Sequence, residues 1–304
     1  MASIHSIWDY SSVLDDVLDE DKRICLGEGE TDLQLIGDIY LKREDKNPTG
    51  SVKDRGTSYQ ISILKDKGYN HFVLPSSGNG AISAARYCQA VGVKFSAIVS
   101  QSIDKMKLAK LAETNAEIIF DSQPTKFAHR YAVKENAINL RPSTSDIGTI
   151  GYRTLAPELF KQLGQVPGAI FFPVSSGTTF VGTYEGFELI DMGKPQFFAV
   201  QTSSVHPISG SLDNNFIEES TSLASGIVAR AVPRKSKILE IIKETLGGGI
   251  VVNNSQIKDA YNWLHNNGIN SSYDGAISVA GAWKKIIEGN INGPIVCLVT
   301  GKNR

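Results

Sequence analysis

The chain has 304 residues, 41% of them hydrophobic, and its 31 basic and 32 acidic residues leave a formal net charge of −1. This balance excludes the strong positive field that gathers nucleic acid or an anionic membrane surface, so we expect a small-molecule partner, with no nucleic acid and no membrane. Cys25, Cys88 and Cys297 stand too far apart for a disulfide framework or a zinc set, and we predict no metal site. The acidic first twenty residues contain no long apolar run, from which we predict a cytoplasmic protein.

Short apolar, β-branched runs alternate with longer segments of helical period along the chain. The predicted strands are 39–42, 71–74, 95–99, 117–120, 170–174, 197–201, 250–252 and 295–299. The predicted helices are 56–67, 81–91, 104–114, 125–139, 154–163, 179–192, 237–246, 255–267 and 276–288. This alternation is typical of βα units that build an open, mostly parallel twisted sheet with helices on both faces. The sequence therefore predicts an α/β fold.

A polar, turn-forming stretch at 141–148 lies near the middle of the chain. The length of the chain fits two domains, and such a stretch is typical of the boundary between them. We predict a smaller α/β domain at 45–145 and a larger α/β domain formed by 1–44 and 146–304.

A lysine in the segment 41–56 occupies an unfavourable position in a predicted helix. A strand runs into a Pro/Gly turn, and if Ser51 is the N-cap of the next helix, Asp54 completes a weak capping box and Lys53 falls in the first turn. The positive end of the helix dipole and burial would both lower the pKa of Lys53 and favour the free amine that attacks an aldehyde. Taken alone, a solvated surface lysine is the commoner outcome.

Two loops of hydroxyl and glycine residues follow predicted strands and precede predicted helices. The first consists of Ser76, Ser77, Gly78 and Asn79, and the second of Ser175, Ser176, Gly177, Thr178 and Thr179. Loops of this kind present backbone N–H groups and short hydroxyls to an anion, an amino-acid carboxylate in the first and a phosphate monoester in the second. The amide of Asn79 suits a phenolic oxygen of a ligand. An ordinary βα turn is equally compatible with the first loop.

A hydroxyl residue, Thr300, follows the last predicted strand. Side chains at the carboxyl ends of parallel strands face the ligand crevice, where a neutral hydroxyl suits a heteroaromatic nitrogen. By itself the pattern favours a strand-terminating turn near the chain end. The sequence contains neither a Walker A motif nor a dinucleotide fingerprint, so a nucleotide-binding function is disfavoured.

Taken together, 47–56, 76–79, 175–179 and 299–301 resemble the four cofactor segments of the fold type II pyridoxal-phosphate enzymes, the tryptophan synthase β-like superfamily. The resemblance implies pyridoxal 5'-phosphate as the cofactor, held in a cleft between two α/β domains, and a homodimer. It implies that Lys53 is catalytic and carries the cofactor as a Schiff base, that Asn79 binds the ring hydroxyl and that Thr300 meets the ring nitrogen. It also implies that Ser175, Ser176, Gly177, Thr178 and Thr179 bind the cofactor phosphate. Ser76, Ser77, Gly78 and Asn79 would bind the substrate.

Within the superfamily the chain is most similar to threonine synthases, through 8–10, 26–31 and 151–154 followed by Glu158, and through the Thr300-Gly301 ending. The similarity implies a lyase that converts O-phosphohomoserine to threonine by β,γ-elimination and replacement. Lys107 and Arg153 are considered for the substrate phosphate without a spacing argument. The alternatives are a serine/threonine dehydratase, a cysteine synthase-like enzyme, or a catalytically silent pyridoxal-phosphate-binding protein. The departures from the family pattern that keep these alternatives open are Asp32, Tyr273 and Asp274, and Ser175-Ser176 in place of a glycine-led start of the phosphate loop.

Overall fold

The computed structural model describes residues 5–76, 78–141, 145–289 and 291–303. Its strands are β1 (Leu33–Ile36), β2 (Ile39–Lys42), β3 (His71–Pro75), β4 (Lys94–Val99), β5 (Glu117–Phe120), β6 (Ile138–Asn139), β7 (Ala169–Pro173), β8 (Gln196–Thr202), β9 (Gly248–Val252) and β10 (Ile295–Leu298). Its α-helices are α1 (Lys53–Asp66), α2 (Asn79–Ala90), α3 (Lys105–Ala112), α4 (Pro124–Lys134), α5 (Ile147–Ile150), α6 (Leu155–Leu163), α7 (Thr178–Ile190), α8 (Lys235–Glu244), α9 (Asn254–Asn266) and α10 (Tyr273–Glu288).

The strands form two sheets. The larger has the order β1-β2-β10-β7-β8-β9 and the smaller has the order β5-β4-β3-β6. Neighbouring strands are parallel in both sheets, except that β1 pairs with β2 in antiparallel fashion. The predicted α/β fold with mostly parallel sheets is confirmed.

Helices cover both faces of the larger sheet. Along β7, Ile170 and Phe172 pack on the side of α6, α7 and α8, whereas Phe171 between them packs on the side of α9 and α10. This alternation follows from the two-residue period of a strand, and it explains why strands buried on both faces appear in the sequence as continuous apolar runs. Each fully buried side chain of this size stabilises the fold by about 1.5–3 kcal/mol.

The smaller sheet is built from residues 71–139. Its four strands all lie inside the predicted smaller domain, 45–145, and the strands of the larger sheet lie outside that range. The division into domains stays a prediction, and residues 142–144 of the predicted boundary lie outside the described part of the chain.

Several helix limits differ from the predicted ones, and two of the differences have a clear cause in the fold. Ser51 does not cap α1, whose N-cap is Val52 without a side-chain hydrogen bond, because Ser51 instead forms an antiparallel bridge with Gly301. The predicted helix 125–139 ends at Lys134, since Asn136 adopts a left-handed φ of 50° and the chain then forms β6 beside β3. Both limits depend on pairing with a segment that is distant in the sequence, and the local sequence does not predict such pairing.

A buried ion network fixes α1 against the larger sheet. Arg55 on α1 donates to both carboxylate oxygens of Glu44, each at 2.7 Å, and to Glu158 of α6 at 2.7 and 3.0 Å. Lys42, at the end of β2, also pairs with Glu158, and these four side chains have no solvent exposure. Because every charge has a partner of opposite sign, the network holds the first turn of α1 in place.

Among the described residues, no helix is long and apolar enough to cross a membrane, and no group of three metal-binding side chains is present.

Candidate functional site

A cleft of about 570 Å³ lies where β3, β7 and β10 end and where α1, α2 and α7 begin. Nearly all of the site residues predicted from the sequence line it, namely Lys53, Ser76, Gly78, Asn79, Ser175, Ser176, Gly177, Thr178, Thr179 and Thr300. Ser77 lies outside the described residues. Residues that are scattered over the sequence therefore meet at one place, because the carboxyl ends of β7 and β10 share an edge of the larger sheet and the carboxyl end of β3, in the smaller sheet, opens into the same cleft.

Lys53 is the first residue of α1, as the sequence predicts for the first turn, and its side chain is partly buried in the cleft. It has no hydrogen bond or ion pair within the described part of the chain. Burial lowers the pKa of Lys53, and the carboxylate of Asp274 opposes this shift. A lysine with a lowered pKa and no partner has a larger fraction of free amine, the form that attacks a carbonyl carbon.

Asn79 is the first residue of α2, directly after the N-cap Gly78. Its amide lies against Gly301, since a Cβ atom on that glycine would stand 2.8 Å from Nδ2 of Asn79. Ser76 belongs to the same loop, and its Oγ accepts a hydrogen bond from the N–H of Gly78 at 3.3 Å. The absence of a side chain at Gly301 therefore lets the α2 terminus approach the end of the larger sheet.

The loop 175–179 leads directly into α7, a helix of 13 residues. Gly177 is its N-cap with a left-handed φ of 79°, and a Cβ atom there would stand 2.3 Å from Cδ1 of Ile238. The hydroxyls of Ser176 and Thr178 lie 2.9 Å apart. The N–H groups of a first helical turn have no partner within the helix, so this terminus suits an anion even though its loop carries no cationic side chain.

Thr300 follows β10 and is tied to the lysine loop. Its carbonyl accepts a hydrogen bond from the N–H of Val52 at 2.9 Å, and Lys302 donates its N–H to the carbonyl of Gly50 at 3.0 Å. These bonds, with the bridge between Ser51 and Gly301, place Lys53 and Thr300 in one cleft although they stand near opposite ends of the chain.

Ser51 is a cleft residue that the sequence analysis missed as a site residue. Its side chain is fully buried, and its Oγ has no hydrogen-bond partner among the described residues. A buried hydroxyl without a partner is uncommon and indicates a group that a ligand satisfies. Its place two residues before Lys53 was the available signal, but the sequence analysis assigned that position to a helix cap.

The far end of the cleft carries charges of both signs. Lys107 and Asp104, at the start of α3, face Asp274 of α10 and the loop residues Ser225 and Gly226. Asp274, which the sequence analysis noted only as a departure from the family pattern, accepts a hydrogen bond from the N–H of Gly226 at 2.9 Å.

Of the two residues considered for a substrate phosphate, Lys107 lines the cleft and Arg153 does not. Arg153 donates from Nε to Glu185 at 2.9 Å and also pairs with Asp15, so its proposed role is wrong. The sequence alone gave no sign of these ion pairs, because Asp15 and Glu185 lie 138 and 32 positions from Arg153.

The residues present fit the cofactor implied by the resemblance. The cleft combines an unpaired lysine, the orphan hydroxyl of Ser51, an amide at Asn79, a hydroxyl at Thr300 and the anion-binding start of α7. An aldehyde, a ring hydroxyl, a ring nitrogen and a phosphate each find a chemically matched group in this set.

Comparison with known proteins gives a consistent result. A family model described as pyridoxal-phosphate dependent enzyme matches residues 24–301. The threonine synthase of Halalkalibacterium halodurans is 28% identical over 308 residues, which cover 94% of this chain and 85% of that protein. A serine dehydratase-like protein of Mus musculus is 25% identical over 214 residues, covering 68% of this chain and 64% of that protein. The structure of the processed form of threonine deaminase isoform 2 from Solanum lycopersicum is similar with a TM-score of 0.77 at 20% identity, over 91% of this chain and 84% of that one.

Proposed function

The chain belongs to the pyridoxal-phosphate dependent enzyme family, and from this premise we propose that it eliminates or replaces a substituent on the side chain of a small amino acid. The family resemblance of the sequence is thereby confirmed, and with it the cofactor and the assignment as a pyridoxal-phosphate-dependent lyase. When bound, the cofactor supplies the electron sink that stabilises negative charge at Cα of the substrate.

The side chains of the cleft are proposed to transfer protons and to orient the substrate. Lys53 binds the cofactor covalently and, once released, carries protons to and from the carbon atoms of the substrate. The start of α2 with Ser76, Ser77, Gly78 and Asn79 orients the substrate carboxylate. The partial positive charge of the α2 terminus supports this assignment.

The cofactor itself is proposed to be held by groups around Lys53. Asn79 binds the ring hydroxyl, Thr300 meets the ring nitrogen, and the loop 175–179 binds the phosphate. Thr300 is a neutral hydroxyl, which can bind a heteroaromatic nitrogen without providing a counter-charge for its protonation. The left-handed Gly177 at the N-terminus of α7 supports the phosphate assignment.

The charge of the cleft supports removal of an uncharged β-substituent, as from serine, threonine or O-acetylserine, and we propose this as the reaction. Among the described residues that line the cleft, Lys53 and Lys107 are basic, whereas Asp104 and Asp274 are acidic. Since Lys53 is taken by the cofactor, Lys107 with two neighbouring carboxylates would face a substrate phosphate. The starts of α7 and α2 are already assigned to the cofactor phosphate and the substrate carboxylate, so a substrate phosphate dianion would rely on Lys107 beside two carboxylates, and this arrangement disfavours it.

Conversion of O-phosphohomoserine to threonine is the second candidate, and sequence similarity supports it. The chain is 28% identical to a threonine synthase over 94% of its length. In that reaction Lys53 would carry protons at Cα, Cβ and Cγ, and Lys107 would bind the substrate phosphate.

One assay separates the candidates. The purified holoenzyme is incubated with serine, threonine, O-acetylserine plus sulfide, and O-phosphohomoserine, and 2-oxo acid, ammonia, acetate and phosphate are measured. We expect product from at least one of the first three substrates. Release of phosphate and threonine from the fourth alone would overturn the proposed reaction in favour of the second candidate. Cofactor binding without turnover of any substrate would support the catalytically silent alternative.

The predicted homodimer rests on family analogy and stays a proposal. Sedimentation of the purified holoenzyme at micromolar concentration tests it, and a mass near the 33.0 kDa of one chain would contradict it.

A further inference from the structure

We propose that Asp274 is the acid that protonates the leaving group in the cleft. This inference rests on the proposed elimination of an uncharged β-substituent and adds a second proton-transfer residue to Lys53. Its basis is the position of the carboxyl group, the way it is held, and the chemistry that an uncharged leaving group requires.

Asp274 is positioned by the start of α10 and by a neighbouring loop. It is the second residue of the helix, whose N-cap Ser272 accepts a hydrogen bond from the N–H of Gly275. Oδ1 of Asp274 accepts from the N–H of Gly226 at 2.9 Å. A Cβ atom on Gly226 would stand 2.4 Å from Oδ2, so the glycine makes room for the carboxyl group. One oxygen of the carboxyl group is therefore fixed, and two separate segments, the start of α10 and the neighbouring loop, set the position of the side chain in the cleft.

The carboxyl group shares the cleft with Lys53 without pairing with it. Asp274 lines the same cavity as Lys53 and Lys107, and it forms no salt bridge with any described residue. Burial raises the pKa of Asp274, and the hydrogen bond from Gly226 and the charges of Lys107 and Lys53 oppose this shift only in part. A carboxyl group so placed can hold a proton at a pH where an exposed aspartate does not.

The elimination of a hydroxyl substituent needs this proton. Hydroxide is a poor leaving group, and protonation of the β-oxygen as the C–O bond breaks turns it into water. In the proposed step the amine of Lys53 takes the proton from Cα, the Cα–Cβ double bond forms, and Asp274 donates its proton to the departing oxygen. Lys53 is left as an ammonium and Asp274 as a carboxylate, and exchange with water restores both. The enamine product takes up one water molecule and yields the 2-oxo acid and ammonia, so no oxidant or reductant is needed.

Leaving-group dependence tests the proposal. The holoenzyme and its Asp274→Asn variant are assayed with serine, whose hydroxyl needs a proton, and with β-chloroalanine, whose chloride does not. We expect the variant to lose about 10²- to 10⁴-fold in kcat for serine, the usual contribution of a general acid, and to keep its turnover of β-chloroalanine. An Asp274→Glu variant, which retains an acid, is expected to recover part of the serine activity.

A spectroscopic readout separates catalysis from binding. We expect serine to shift the cofactor absorption band of the Asp274→Asn holoenzyme as it does in the wild type, because the variant loses only the proton donor. The matched control is Asp121→Asn, at an aspartate outside the cleft, since Asn keeps the acceptor that Asp121 provides to the N–H of Gln123. This control is expected to leave the ratio of the two rates unchanged.

The outcomes separate the two proposals. If the wild type turns over neither substrate, the proposed elimination is wrong and the role of Asp274 falls with it. If the wild type is active, the proposed elimination stands. The acid role of Asp274 is then wrong if Asp274→Asn loses both activities equally, if it retains serine turnover, or if it no longer shows the spectral shift. A variant Asp274→Glu no more active on serine than Asp274→Asn would also contradict the acid role.

Discussion

Two basic residues in the first turn of α1 have opposite environments. Arg55 is completely buried and bonds to Glu44, Glu158 and Thr154, so its positive charge is matched by carboxylates. Lys53, two residues earlier, lines the cleft without a hydrogen bond or ion pair among the described residues. The comparison shows how one helix turn supports two tasks: the matched cation fixes the helix, and the unmatched amine is left available for chemistry.

Replacing Lys53 by Ala is expected to remove activity without weakening the fold. Proton transfer by a positioned group usually contributes about 10²- to 10⁴-fold to turnover, and we expect a loss of at least this size together with loss of covalently bound cofactor. Borohydride reduction followed by peptide mapping measures the attachment. The control is Lys46→Ala, since Lys46 is exposed and pairs with Asp32 at the surface. Covalently bound cofactor in the Lys53→Ala variant would show that Lys53 is not the reactive amine.

Replacing Arg55 by Met is expected to have the opposite effect. The change leaves Glu44 and Glu158 buried with less compensating charge, which costs about 3–5 kcal/mol in the free energy of unfolding. Urea denaturation measures this loss. Arg86→Met is the control, because Arg86 pairs with Glu113 at an exposed position where a salt bridge contributes about 0–1 kcal/mol. Equal effects of the two variants would show that the network does not fix α1.

The buried network is also expected to make the fold sensitive to acid. Arg55 and Lys42 hold the pKa of Glu158 down at about 2 against the opposing effect of burial. A carboxylate with a folded-state pKa below its unfolded value stabilises the protein above the unfolded value, and this stability is lost as the pH falls toward the folded one. We expect the melting temperature to fall as the pH is lowered from about 4.5 to about 2. The Glu158→Gln variant should show a smaller change of melting temperature with pH and a lower stability at pH 7. If the variant shows the same change of melting temperature with pH as the wild type, other carboxylates cause the acid sensitivity.

Gly177→Ala tests the anion-binding loop at the start of α7. A left-handed backbone costs a residue with a Cβ atom about 1–2 kcal/mol, and the new atom would also collide with Ile238. We expect the affinity of the apoenzyme for the cofactor to fall by about 5- to 30-fold, measured by fluorescence titration. Gly164→Ala is a matched control, since Gly164 also has a left-handed φ and caps α6, but a Cβ atom added to it would meet no other atom within 4 Å. That control should lower stability and leave cofactor affinity unchanged.

Ser51→Ala is expected to give the smallest effect of these substitutions. Because Oγ of Ser51 has no partner among the described residues, its removal should not destabilise the apoenzyme. If a ligand satisfies this hydroxyl, the variant should lose about 0.5–1.5 kcal/mol of binding free energy for the cofactor or the substrate. Thermal unfolding with and without cofactor and serine separates the two states. A loss confined to the apoenzyme would make Ser51 a structural residue.

The sequence alone determined the segments that carry the site. The loops at 76–79 and 175–179 and the residues Lys53 and Thr300 could be found because each follows a strand or begins a helix, and such junctions are encoded locally. The alternation of strands and helices also determined the α/β class.

Only the tertiary structure decided which charges are matched. Arg55 meets Glu158 across 103 positions of sequence, Ser51 is held by Gly301 rather than capping α1, and Arg153 is taken by Glu185 instead of facing the cleft. Asp274 reaches the cleft of Lys53 because α10 begins beside the end of β10. These contacts depend on sheet order and long-range pairing, and the physical distinction between a structural cation and a reactive amine exists only after the chain has folded.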